Sequence, residues 1–306
     1  MKKGYFEGWY FKQQAEEHML AVIFGRNRDK SGREGCFIQI LTEKEAYRID
    51  YPIQAFFKEE RYFYVRIGKN YVTCDNLYLD IEQKEIEQKD IKIKGCLHYG
   101  KFTQLSYPIM GPFEHLPDME CHHGILSMRH AVRGSIRING RKLSFAPGIG
   151  YAEKDSGCSF PKSYIWTQCN TGTEVMDGAE TGENVSIVSA VAVIPYHGIR
   201  FTGTITVIGY QGKLYRMATY LGTKVLCQTS HLVVLVQGTY LLVIRFLEGD
   251  GLPLSAPQRG DMQRTVEEVL QGRVEYTFCI KGRELFRVVS RQASVEIAVH
   301  KASDTL

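Results

Sequence analysis

Ser135-Ile136-Arg137-Ile138-Asn139-Gly140-Arg141-Lys142-Leu143-Ser144-Phe145 sets two short alternating runs around an Asn-Gly pair. Both turn residues tolerate positive φ, and Asn-Gly between alternating runs is the strongest short-range signal for a two-residue hairpin. The same rhythm extends in both directions. Upstream, residues 5–12, 18–25, 35–41, 61–67 and 77–81 are short apolar or aromatic runs cut by Gly, Asn and Asp. Residues 86–97 alternate closely, as in Asp90-Ile91-Lys92-Ile93-Lys94, which is the period of a half-exposed strand. Downstream, residues 185–194 and 201–210 read as long apolar strands, and Gln211-Gly212, Gln237-Gly238 and Lys281-Gly282 mark further tight turns. Residues 273–280, 284–289 and 295–299 close the chain as strands.

Three segments break the rhythm. Pro108, Gly111, Pro112 and Pro117 make residues 107–121 an irregular loop. The polar, Gly-rich residues 171–184 read as an exposed loop. Residues 261–271 place Met262, Val266, Val269 and Leu270 on one helical face, with Asp261 as N-cap and Gly272 as stop, and predict a helix. Roughly nineteen candidate strands against about one helix lie far from ordinary proportions. That is too many strands for one small barrel of about eight. The expected fold is all-β: two antiparallel β-barrel or sandwich halves, residues 1–146 and 147–306, with about one helix near the C-terminus.

Composition narrows the function. A 306-residue chain with net charge +4 carries no basic block that would track a phosphate backbone, so nucleic acid is not an expected partner. The eight cysteines include no Cys-x-x-Cys pair and fall mostly within strand-like runs, the pattern of free thiols in a reducing compartment. The opening residues 1–8 lack an apolar h-region. The most apolar stretch, residues 232–247, is interrupted by Gln237-Gly238 and Arg245 and is too short to span a bilayer. A soluble cytoplasmic protein is the expectation.

Chemistry-bearing residues gather in three places. Glu7-Gly8-Trp9-Tyr10-Phe11-Lys12 is one, and its plainest reading is a core strand. Asp118-Met119-Glu120-Cys121-His122-His123 is the second. The third is the loop and aromatic run of residues 147–170, with Gly148, Gly150, Tyr151, Glu153, Lys154, Asp155, Gly157 and Pro161, then Trp166, Gln168 and Asn170. Consecutive strand residues face opposite ways, so His122 and His123 cannot both bind one ion from a strand, and no metal is expected. Neither a nucleophile elbow nor a phosphate-binding Gly loop is present, so no cofactor is expected either. What remains is acids and aromatics on a β scaffold, which suits a hydrophobic small molecule oriented by a few polar groups. Contact with a membrane surface is expected to be transient at most.

At these residues the sequence resembles the tocopherol cyclase family. The resemblance rests on Phe6-Glu7-Gly8-Trp9-Tyr10-Phe11-Lys12, on Met119-Glu120-Cys121-His122-His123-Gly124, and on Tyr151-Ala152-Glu153-Lys154 with Phe160-Pro161 and Trp166-Thr167-Gln168-Cys169-Asn170. Ala256-Pro257, Gly260-Asp261-Met262, Arg264 and Glu267 match the family's last motif. The resemblance implies two lipocalin-like halves and cofactor-free cyclisation of a prenylated quinol to a chromanol. Its implied proton donors are Glu153, Glu120 and Asp155, with His122 or His123 as alternatives. Trp9, Tyr10 and Trp166 are the implied walls, with Glu7, Tyr151, Gln168 and Asn170 as further substrate-binding residues. One departure stands out. Asp155-Ser156-Gly157 replaces the family's frequent Asn-Trp-Gly, which leaves open a different hydrophobic substrate or a non-catalytic carrier of an isoprenoid or other lipid.

Overall fold

The computed structural model describes residues 4–83, 90–176 and 179–298, and side chains outside 173–183. The Asn-Gly hairpin is present: Ile138 pairs with Arg141, and Asn139 and Gly140 hold φ of 48° and 88°. Gly140 is required there, because both turn positions lie in the left-handed region.

Twelve strands form the first antiparallel sheet. In chain order they begin β1 (Tyr5–Gln14), β2 (Met19–Arg28), β3 (Glu34–Thr42), β4 (Ala46–Pro52), β5 (Phe56–Lys58) and β6 (Tyr64–Ile67). They continue β7 (Asn70–Thr73), β8 (Asn76–Gln83), β9 (Ile91–Tyr99), β10 (Cys121–Ile138), β11 (Arg141–Ser144) and β12 (Gly148–Gly157). Their spatial order is β4-β3-β2-β1-β12-β10-β9-β8-β7-β6-β5, with β11 on β10.

The second sheet also has twelve strands. The first six are β13 (Tyr164–Cys169), β14 (Gly172–Met176), β15 (Ala179–Glu183), β16 (Val185–Tyr196), β17 (Ile199–Tyr210) and β18 (Lys213–Ala218). The rest are β19 (Lys224–Gln228), β20 (Leu232–Gln237), β21 (Tyr240–Glu248), β22 (Leu252–Gln258), β23 (Asp261–Ile280) and β24 (Arg283–Ala298). Its main path runs β18-β17-β16-β13-β24-β23-β21-β20-β19. Neither sheet closes into a barrel among the described residues. By compactness the chain forms two units: Met1–Leu105 with Ile125–Ser156 and Arg259–Asp261, and Ser106–Gly124 with Gly157–Gln258 and Met262–Leu306.

Period-two alternation builds each core. In β9, Ile91, Ile93, Leu97 and Tyr99 are buried while Lys92, Lys94 and His98 are exposed. Trp9, Phe11, Leu20, Val22, Phe24, Ile38 and Ile40 join them in the first core. Ile165, Cys169, Ile187, Val191, Tyr276, Phe278 and Phe286 lie in the second. Each fully buried side chain of this size contributes about 1.5–3 kcal/mol.

Two expectations fail. Residues 261–271 are not a helix; they open the long strand β23. Val266, Glu268, Leu270, Val274 and Tyr276 are buried at every second or fourth position, a strand period in which Glu268 occupies an inward site. That buried acid conceals the alternation and lets Val266, Val269 and Leu270 mimic a helical face. Pairing with β21 and β24 then overrides local helix propensity. Within the expected loop 171–184, β14 and β15 are paired strands, with Gly172 opposite Glu183, while residues 177–178 lie outside the described residues. Residues 86–89 of the expected strand 86–97 lie outside the described residues.

Candidate functional site

β1 and β13, the strands that carry the two tryptophans, are buried on both faces along most of their length. A sheet strand ordinarily exposes one face, so a second buried face carrying polar groups is the feature to follow.

In the first unit, Glu7, Trp9 and Phe11 of β1 point to the core side. The Glu7 carboxylate, 2% exposed, is held by three cations. Its Oε1 accepts from Lys58 Nζ at 3.0 Å and Lys154 Nζ at 2.8 Å, and its Oε2 lies 2.8 Å from an Arg26 guanidinium nitrogen. Burial alone would raise its pKa; the hydrogen bond and charge of Lys154, then Lys58 and Arg26, outweigh it and hold the carboxyl below its ordinary value. Both ammonium groups sit 5.6 Å from the Trp9 ring centre, Arg26 sits 4.9 Å from that of Phe56, and Trp9 stacks on Phe56. Glu7 and Trp9 from one sequence motif and Lys154 from another thus meet in one cluster.

The other face of β1 carries Tyr10, Lys12 and Gln14, all buried. On β12, alternation sends Ala152 into the core and Tyr151 and Glu153 the opposite way, with Asp155 following them. The Tyr151 hydroxyl donates to Glu153 Oε2 at 2.6 Å, with both residues buried. Burial, then the charges of Glu153, Asp155 and Tyr10, pushes the Tyr151 phenol well above its ordinary value, so it stays a donor.

In the second unit a comparable arrangement stands on β13. Ile165 and Cys169 enter the core, and Tyr164, Trp166, Gln168 and Asn170 occupy the opposite, buried face. The Tyr164 hydroxyl donates to Glu296 Oε2 at 2.5 Å. Trp166, Glu296 and Glu268 stand in one row across β13, β24 and β23 by register. Ser186 donates to Asn170 Oδ1 at 2.8 Å.

Glu120, His122 and His123, the other expected site residues, belong to the second unit and are partly buried. The Glu120 carbonyl accepts from the Cys158 and Ser159 amides at 2.8 and 3.1 Å, and the His123 amide lies 3.1 Å from Met110 Sδ.

Three residues escaped the sequence reading. The helical pattern of 261–271 conceals Glu268, which the strand β23 buries. Glu296 lies between Val295 and Ile297, and strict alternation would have set it on the face opposite its apolar neighbours. His130 gave no signal at all. It is buried against Tyr99 and Phe102, ring centres 4.8 and 4.5 Å away, with Nδ1 3.0 Å from Ser127 Oγ. Burial lowers its pKa to about 3, so the ring is neutral.

These two antiparallel sheets define an all-β protein of lipocalin-like fold. The chain belongs to the tocopherol cyclase-like family, whose profile matches residues 76–299. A protein of Oryza sativa subsp. japonica described as probable tocopherol cyclase, chloroplastic, is 29% identical over 133 residues. That match covers 41% of this chain and 26% of the rice protein, so the chain spans only a fraction of this relative. Among solved structures, CghA superposes with a TM-score of 0.57 at 11% identity, covering 96% of this chain and 88% of that one. The structure of CghA with Sch210972 gives 0.55 with the same identity and coverage. A provisional AttH from Nitrosomonas europaea gives 0.52 at 9% identity, covering 96% and 92%. At these identities the likeness shows the fold. Among the described residues no helix is long and apolar enough to cross a membrane.

Proposed function

We propose that the protein binds a prenylated quinol, or a closely related hydrophobic phenol, in the cytoplasm and closes it to a chromanol-type ring without a cofactor. Family membership supports the substrate class. The observation that carries the reading is the buried Tyr151–Glu153 pair, because it sets a carboxyl beside a permanent hydrogen-bond donor on the stretch of β12, residues 150–153, that is buried on both faces. In the proposed step the Glu153 carboxyl gives its proton to the prenyl double bond, leaving a tertiary cation and a carboxylate. The phenol oxygen closes on the cation and its proton returns to Glu153, so the residue ends as it began. Tyr151, whose own proton is held tightly, stabilises the carboxylate while it exists. The aromatic face of Tyr10, on the strand beside β12 in the same unit, is the wall assigned to the cation, and exclusion of water protects it from capture.

The reaction is tested by incubating the purified protein with a prenylated hydroquinone and following chromanol by chromatography. Glu153→Gln should lower turnover by about 100-fold or more. Ligand affinity, read by fluorescence titration, should remain near that of the unaltered protein. Turnover that survives in Glu153→Gln and falls in Glu296→Gln would move the acid to the Tyr164–Glu296 pair. A protein that binds the hydroquinone and never converts it is a carrier, the reading favoured by Ser156 standing where the family often has tryptophan.

A further inference from the structure

The cation cluster around Glu7 holds more positive charge than its carboxylate neutralises. Lys58 and Lys154 both approach the same oxygen, at 3.0 and 2.8 Å, so their nitrogens lie within about 6 Å of each other. Arg26 takes the second oxygen. Among the described residues Glu7 is the one acid these three cations pair with, leaving two unit charges uncompensated. At that separation two ammonium groups repel each other strongly unless a second anion intervenes. Each ammonium has three donors and gives one to Glu7. The three cationic side chains are about one-third exposed (31–34%), while the carboxylate beneath them is sealed, so solvent reaches the donors and not the acid. The Trp9 ring under both ammonium groups fixes their positions.

From this geometry we infer that Lys58, Lys154 and Arg26 form a preorganised site for an oxyanion, a carboxylate or phosphate group, with Glu7 as the fixed counter-charge that holds the three donors together. Two ammonium groups this close match the oxygens of one such group, and the guanidinium offers a planar fork beside them. The occupant is the anionic end of an amphipathic ligand or a free oxyanion. The ring closure proposed above needs no such group, so this inference stands independently of it.

Three probes test it by calorimetry at constant ionic strength: sodium laurate, 1-dodecanol and inorganic phosphate. The charge-removing variant is Lys58→Met with Lys154→Met, in which Arg26 still pairs with Glu7; the charge-keeping control is Lys58→Arg with Lys154→Arg. The expected result is laurate or phosphate binding weakened about tenfold or more in the methionine variant and largely kept in the arginine variant, with dodecanol unchanged. Laurate bound more tightly than phosphate identifies an amphiphile's headgroup, and equal binding identifies a free anion. The inference is overturned if neither anion binds the unaltered protein, if anion binding is unchanged in the methionine variant, or if dodecanol binding falls in parallel with laurate.

Discussion

Gly150 is glycine because the imidazole of His130 fills the space a side chain would need. A Cβ built there would stand 2.2 Å from Nε2 and 2.7 Å from two ring carbons. The ring cannot retreat easily, since Tyr99 and Phe102 pack on it and Ser127 holds Nδ1. Gly150→Ala should therefore destabilise the protein by about 1–3 kcal/mol in urea titrations, the usual cost of overpacking a filled core. The same substitution made in a His130→Ala background, where the ring is gone, should cost less than about 0.5 kcal/mol, because residues in contact are non-additive. An equal cost in both backgrounds would locate the strain elsewhere. The sequence shows a Gly-rich motif at this point, but the reason for one of its glycines lies at residue 130 on another strand, which no local pattern carries.

At the scale of strands, what was legible depended on whether inward positions were apolar. The hairpin at Asn139-Gly140 and the turns at Gln211-Gly212 and Lys281-Gly282 were readable because positive φ leaves a chemical mark. β23 was not, because Glu268 sits where alternation calls for a hydrophobe. The candidate site divides the same way. Tyr151 and Glu153 stand in a recognisable motif, whereas Tyr164–Glu296 joins residues 132 positions apart and exists only once β13 and β24 pair. Polar locks between strands of this kind have measurable worth. The Tyr276 hydroxyl of β23 meets Thr167 Oγ1 of β13 at 2.7 Å, passing β24 between them, and Thr167 also donates to the Ser294 carbonyl at 3.0 Å. Tyr276→Phe keeps the ring packing and removes one partner, while Thr167 retains the other. The expected loss is about 0.5–1.5 kcal/mol in denaturant unfolding, and a loss of several kcal/mol would mean that the hydroxyl supports more than this bond.

Across the whole molecule the two sheets repeat one plan. In each, the first strand, bearing the sheet's only tryptophan, pairs with a neighbour leading into a meander and with the sheet's last strand: β1 with β2 and β12, β13 with β16 and β24. Trp9 therefore reports on the first unit and Trp166 on the second, which allows the acid response of the chain to be read by parts. His130 has a folded pKa of about 3 against an ordinary 6.5, so between these values the unfolded state binds the extra proton. Its stabilisation is complete above pH 6.5 and declines by about 1.4 kcal/mol per pH unit as pH falls through that window. Glu7, whose pKa is lowered, adds stability above the ordinary carboxylate range and loses it as pH falls below that range through the depressed value. Acid should thus weaken the first unit in two stages, the imidazole first and the carboxylate joining later. Measured by Trp9 fluorescence in a Trp166→Phe background, the stability slope between pH 6.5 and 5 should flatten by one proton's worth in His130→Phe, because a phenyl ring has no site to protonate in either state. A slope unchanged by that substitution would show that His130 is not the group that makes the first unit acid-sensitive.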